Sequence, residues 1–309
     1  MQRFFSSYRQ ADHSLQRAPM QFHRIYVEIT NVCGLACNFC PPGVRPSETM
    51  TPAFFKTVLE QLRPHTRELA FHVMGDPLTI ANLSDYLDLA HLYRFRVKLT
   101  TSGYHLKKTP LDTLFHPAIS QVNISLNSYN KNRLKLSLDS YMEAVFAFCS
   151  EKLARHPEPF INLRLWNLGD DGGERVFNSM IFERLEAFFN IGLDGDELHR
   201  QRPKSLRLAP KILLNFESYF QWPSLDAAHD SDGPCHGLRS QIGVLADGTV
   251  VPCCLDGNGV ISLGNINERP LKEILGSERA KAMVKGFSES RAVEELCRRC
   301  SFKDRFSLQ

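Results

Sequence analysis

Three cysteines, Cys33, Cys37 and Cys40, fall within eight residues, directly behind the strand-like run Arg24-Ile25-Tyr26-Val27-Glu28-Ile29-Thr30. Spacing of i, i+4, i+7 also suits one face of a helix. Asn31, Gly34 and Pro41-Pro42 are poor helix material, so the segment reads as a loop at a strand end. Thiolates at this spacing can converge on one soft metal centre. Nine cysteines occur in 309 residues, and more of them gather at Cys235, Cys253-Cys254 and Cys297/Cys300. The first residues, Met1-Gln2-Arg3-Phe4-Phe5-Ser6-Ser7, lack the apolar stretch of a secretory signal. The pattern therefore favours metal over disulfides, in a cytoplasmic protein. Cys149, alone on an apolar helical stretch beside Phe146 and Phe148, reads as core.

From residue 24 onward, strand-like and helix-like segments alternate. Strands are expected at 24–30, 69–74, 96–101, 120–126, 160–166 and 205–209. Thr51-Pro52 caps and opens a helix to about Leu62, and helices follow at 83–93, within 131–154 and at 176–189. Alternation of this kind implies parallel strands with helical crossovers. Six units are fewer than the eight of a closed barrel, and chemistry is expected at the carboxyl ends of the strands. After the Pro223–Gly233 stretch, residues 242–251 read as a hairpin with an Asp247-Gly248 turn. The expected fold is α/β, a partial (β/α)6 TIM-like barrel followed by a small α+β domain with a β-hairpin. Its divisions are an extension over 1–20, a core domain over 21–230 and a cysteine-rich domain over 231–309. No apolar run approaches the ~18 residues of a membrane span.

Cys33-x3-Cys37-x2-Cys40, with Phe39 before the last cysteine, resembles the cluster loop of radical S-adenosylmethionine (SAM) enzymes. The resemblance implies three thiolates holding a [4Fe–4S] cluster whose fourth iron is left open for SAM. It also implies reductive cleavage to a 5′-deoxyadenosyl radical, and a reductase or flavodoxin-type electron donor. It extends to Met74-Gly75-Asp76-Pro77, where the family has Gly-Gly-Glu-Pro, placing Gly75 and Asp76 at the SAM amino group. It further implies SAM contacts at Ser102, Ser125 and Asn127, and a SAM carboxylate partner in Arg164. Arg164 is a lone charge in an apolar strand, for which an exposed edge position is the alternative. Cys235, Cys253, Cys297 and Cys300 are similar to the twitch form of the SPASM extension, which implies an auxiliary [4Fe–4S] cluster acting as an electron conduit. A Cys₄ zinc site uses the same donors, and Cys254 competes with Cys253 as ligand. A net charge of +3 is offset by two such clusters at roughly −1 and −2, so it is no argument for nucleic acid.

Substrate chemistry is harder to read. His72 shares a strand face with Met74 and either bonds SAM or substrate or is a satisfied core histidine. Asp170 and Asp171 follow the fifth strand, as a candidate base or as a solvated loop. Arg200, Arg202, Lys204, Arg207 and Lys211, followed by Phe216, Tyr219, Phe220 and Trp222, have the look of an RNA-facing surface or of a solvated rim. The leading expectation is a radical SAM oxidoreductase acting on a peptide or protein. The alternative is modification of RNA or dehydrogenation of a small-molecule alcohol.

Overall fold

The computed structural model describes residues 22–132, 135–155, 157–167 and 173–306. β1 (Arg24–Val27), β2 (Glu68–Phe71), β3 (Arg96–Thr101), β4 (Ile119–Ser125) and β5 (Phe160–Leu165) lie side by side in chain order, every pair parallel. β6 (Ser205–Ala209) and β7 (Ile212–Phe216) form a hairpin, and it is β7 that runs parallel to β5. The expected sixth barrel strand at 205–209 is therefore an antiparallel edge, and 212–216 takes its place. On the opposite side β8 (Gln241–Val244) pairs in parallel with β1. β9 (Thr249–Val251) and β10 (Gly264–Asn265) then continue antiparallel. The outcome is one open ten-stranded sheet, β10-β9-β8-β1-β2-β3-β4-β5-β7-β6.

Strand side chains alternate between faces, and here the two faces differ sharply. Ile25, Val27, Leu69, Phe71, Val97, Leu99, Val122, Ile124, Ile161, Leu163, Ile212, Leu214, Ile242 and Val244 are completely buried. They pack with helix residues in one core, the helix Pro52–Leu62 contributing Phe55, Val58, Leu59 and Leu62. Thr51 accepts the Phe54 N–H at 3.2 Å, the expected cap. The other face carries Arg24, Tyr26, His72, Lys98, Asn123 and Arg164, all of which line a cavity. The apolar face makes the fold; the polar face is left for something else.

Glu28 ties together the ends of β2 and β8, the strands on either side of β1. Its carboxylate, 1% exposed, pairs with Arg45 and accepts the backbone N–H groups of Met74 and Ala246, each at 3.2 Å. Arg45 in turn donates to the Gly257 carbonyl at 2.9 Å. Burial raises the Glu28 pKa even against Arg45, so the folded chain holds this proton more tightly than the unfolded one. The site's contribution to stability is then full below the ordinary glutamate value of about 4.3 and declines as pH rises through the raised value. Urea midpoints measured from pH 4 upward are expected to lose that part of their slope in Glu28→Gln; an unchanged slope contradicts the assignment. No helix among the described residues is long and apolar enough to cross a membrane.

Candidate functional site

The cysteine loop leaves the sheet at Thr30 and is pinched shut at its neck. Thr30 bridges Thr49, Asn31 donates to the Pro46 carbonyl at 2.7 Å, and the Asn31 side-chain oxygen accepts the Glu48 N–H at 2.7 Å. Within the loop, the Asn132 amide donates to Cys37 Sγ at 2.9 Å while its oxygen accepts the Ala36 N–H at 2.9 Å. The Cys37 thiol is held down to about 6, first by Cys40 and then by Asn132 and Ser128, against burial. Cys33 is pushed up to about 12 by burial and by Asp76. Phe39 stacks on Tyr219 with ring centroids 5.6 Å apart. Neither Asn132 nor Tyr219 is marked by the motif. Asn132 lies 95 residues beyond Cys37, and only the folded chain brings them together.

The turn after β2 is braced against the root of this loop. A Cβ on Gly75 would sit 2.1 Å from the Thr30 carbonyl oxygen and 2.9 Å from the Asn31 carbonyl carbon, so glycine is required for this approach. Asp76 N–H donates to the Val32 carbonyl at 3.0 Å. The Asp76 carboxylate, 2% exposed, accepts from Leu78 N, Thr101 Oγ1, Ser102 N and Ser102 Oγ at 2.7–3.0 Å. Three of these four bonds tie the end of β2 to the end of β3, and the fourth, from Leu78, closes the turn itself. Tyr141 closes the knot by donating to the Ser102 carbonyl at 2.7 Å.

Cys33, Cys37 and Cys40 line a cavity of about 710 Å³. Phe39, Gly75, Asp76, Ser102, Ser125, Asn127, Arg164 and His72 line it too, so every described residue expected to meet SAM or substrate is in one place. Asp170 and Asp171 lie outside the described residues. Tyr219, Phe220 and Trp222 turn into the cavity as well, while Phe216 is buried. The basic residues of the expected RNA surface do not line it, and Lys211 pairs with Glu158 at 2.9 Å. Burial, then Arg164, holds His72 down to about 4, so it is a neutral imidazole.

Arg164 is half-buried, and its guanidinium lies over the Trp166 ring at 5.0 Å. Burial lowers its pKa to about 10; Tyr26 raises it and Arg24 lowers it further. It is therefore an interior residue, not an edge one.

A second, smaller cavity of about 40 Å³ is lined by Cys235, Cys253, Cys297 and Cys300. Burial raises all four thiols. Cys254, adjacent in sequence, faces the large cavity instead and interacts with Tyr26. Lys303, 2% exposed, also lines the small cavity and donates to the Cys300 carbonyl at 2.9 Å and the Arg298 carbonyl at 3.1 Å. Among the described residues, no three Cys, His, Asp or Glu side chains converge closely enough to grip one ion. A tetrahedral zinc with Zn–S bonds of about 2.3 Å needs that convergence; thiols arrayed around a cavity suit a group of several irons better. Gln241, Leu255, Phe302 and Phe306 line both cavities, so one layer of side chains separates them.

The sequence matches the radical SAM superfamily over residues 27–150 and the SPASM iron–sulfur cluster-binding domain over residues 235–301. It is 31% identical to the S-adenosyl-L-methionine-dependent 2-deoxy-scyllo-inosamine dehydrogenase of Niallia circulans over 288 residues, which span 91% of this chain and 93% of that one. The fold is similar to that of BtrN in complex with AdoMet and 2-DOIA, with a TM-score of 0.55, 20% identity and coverage of 91% and 93%. It also resembles Streptococcus suis SuiB bound to precursor peptide SuiA, with a TM-score of 0.59, 13% identity and coverage of 93% and 73%. This chain belongs to the radical SAM superfamily, as an iron–sulfur enzyme with a C-terminal SPASM domain.

Proposed function

We propose that the protein is a radical SAM dehydrogenase that oxidises a small-molecule alcohol held in the large cavity. The observation that carries this reading is the shared wall of Gln241, Leu255, Phe302 and Phe306 between the two cysteine-lined cavities. Oxidation of an alcohol removes a hydrogen atom, a proton and one electron, and an electron acceptor one side chain away from the substrate meets the last need. The relative that supports it is itself named as a dehydrogenase of a small cyclitol amine and is matched along nearly its whole length. The peptide reading rests on fold likeness alone.

In this reading Cys33, Cys37 and Cys40 hold the SAM-binding [4Fe–4S] cluster, and Cys235, Cys253, Cys297 and Cys300 hold the auxiliary one. Three thiolates leave one iron open, whereas four close the coordination sphere and leave only electron transfer. When bound, the first cluster and SAM supply a 5′-deoxyadenosyl radical that takes a hydrogen atom from the substrate. The chain's residues position the reactants. Asn132 orients Cys37, and Ser125 and Asn127 offer hydrogen bonds to SAM at the strand ends. Neutral His72 can accept a hydrogen bond from a substrate hydroxyl at its free imidazole nitrogen. The apolar wall and Phe39–Tyr219 keep water from the reacting carbon. Residues 231–309 form the auxiliary-cluster unit.

The test uses reconstituted protein, dithionite, SAM and a pool of carbon-deuterated sugars and polyols. Deuterium is expected in 5′-deoxyadenosine, together with a carbonyl product. Cys253→Ala and Cys297→Ala are expected to keep deuterium transfer while carbonyl product falls at least about tenfold, the signature of a lost step after hydrogen abstraction. Normal carbonyl yield in both variants sinks the conduit role. Carbon-deuterated peptides are run alongside, and label transferred from them but from none of the sugars or polyols sinks the small-molecule reading.

A further inference from the structure

Cations in the large cavity outnumber the anions free to meet them. Among the described residues Arg24, Lys98 and Arg164 line it, against one carboxylate, that of Asp76. Asp76 already accepts four hydrogen bonds from the ends of β2 and β3. Lys98 has a partner in Glu68 at 3.5 Å. Arg24 and Arg164 have no carboxylate within ion-pairing distance among the described residues; Arg24 touches the His23 ring, at 3.3 Å, and hydrogen-bonds with Tyr26, neither of them a carboxylate. Each guanidinium feels the other, since Arg24 is among the groups that lower Arg164. Two forks of like charge in one wall are costly unless an anion lies between or beside them.

SAM brings a single carboxylate. If it engages Arg164, on the strand next to Ser125 and nearer the cysteine loop, Arg24 is left. Arg24 opens β1, six residues before the loop neck at Thr30, which is a rise of about 20 Å along an extended chain. The cavity thus offers an oxyanion site on its β1 side, beside Tyr26 and Cys254.

We propose that the substrate carries an oxyanion, a carboxylate or a phosphate ester, which Arg24 grips on the β1 side of the cavity while the alcohol carbon is presented to SAM. A guanidinium fork matches either group bidentately. The same wall disfavours an ammonium, so the substrate differs in charge from a cyclitol amine. The inference rests on the small-molecule reading above and narrows it to one class.

Calorimetric titration of the reconstituted, SAM-loaded chain with a matched set tests it: D-glucose 6-phosphate, D-glucuronate, D-glucose and D-glucosamine. At least one of the two anions is expected to bind about tenfold or more tightly than both the neutral sugar and the amine, and the tighter anion names the group. Arg24→Gln is expected to erase the preference and Arg24→Lys to retain part of it. Equal binding of anion and amine, no anion binding, or a preference untouched in Arg24→Gln overturns the proposal. SAM cleavage under dithionite without any sugar is followed in parallel. Its loss would implicate the enzyme reading, whereas intact cleavage without anion preference refutes the oxyanion site alone.

Discussion

Gly75→Ala is expected to lower SAM cleavage at least about a hundredfold, because misplacing reacting groups by 1 Å carries a penalty of that size. The added methyl would stand 2.1, 2.7 and 2.9 Å from three backbone atoms of Thr30 and Asn31. None is the tip of a flexible side chain, so the turn or the loop neck must move by about 1 Å to restore ordinary contact. Asp76 N–H hangs on the Val32 carbonyl, one residue before Cys33, and the Asp76 carboxylate holds Ser102 and Thr101. A shift at Gly75 therefore moves the first cysteine relative to two strand ends at once. Overpacking of this kind also costs about 1–3 kcal/mol of stability. The measurement is 5′-deoxyadenosine formation alongside iron content and a thermal melt. Gly43→Ala is the control, since no atom lies within 4 Å of a Cβ there. Wild-type cleavage by a folded Gly75→Ala protein would show that the brace does not set the site.

The Gly75 case shows what the sequence reveals and what it hides. The motif marks Gly75 and Asp76 as SAM contacts, and both do line the cavity. Their local work is different: one permits a close approach of two backbone segments, the other bonds two strand ends. Period-2 alternation makes β1 to β5 legible, and the polar members of those strands, Arg24, His72, Lys98, Asn123 and Arg164, are already the inner face of the cavity. The choice of sixth strand fails for a local reason. Ser205–Ala209 and Ile212–Phe216 are both strand-like, and they are joined by Pro210-Lys211 with Lys211 at φ +58. A left-handed lysine carries no Asn-Gly or Asp-Gly signal. Asp247-Gly248, with Gly248 at φ +90, does carry it, and that hairpin is placed correctly. The choice between Cys253 and Cys254 is settled by neither spacing nor burial. The fold adds that the two adjacent residues line different cavities, Cys253 the small one with the other three thiols and Cys254 the large one. Asn132, Arg24 and Lys303 acquire meaning only from contacts distant in sequence or from charge counted across the whole cavity.

Lys303→Met is expected to make the auxiliary cluster harder to reduce. Lys303 is buried and has no carboxylate within ion-pairing distance among the described residues. An unpaired buried ammonium is expensive, yet this one lines a cavity walled by four thiols. Four thiolates around an oxidised cubane carry a net charge of about −2, and an auxiliary cluster held by these cysteines would supply the missing counter-charge. Lys303 already lowers the pKa of Cys235 and Cys300 against the larger effect of burial. Methionine keeps the length and apolar stem while removing the charge. A charged interaction of about 1.5–3 kcal/mol, at 59 mV per tenfold for one electron, sets the shift on the order of 100 mV to more negative potential. An EPR-monitored redox titration reads it, with the SAM-perturbed cluster as an internal reference that is expected to stay put. Lys303→Arg is expected to keep most of the potential. The competing account is that Lys303 merely satisfies the Arg298 and Cys300 carbonyls at the end of the helix Glu295–Arg298, a common place for lysine. On that account Lys303→Met loses stability but leaves the potential within error. In the proposed dehydrogenase a substrate radical one side-chain layer away hands its electron to this cluster, so the same substitution is expected to slow carbonyl formation without slowing hydrogen abstraction. Potential and partition moving together identify Lys303 as the residue that keeps the acceptor oxidising enough for the reaction.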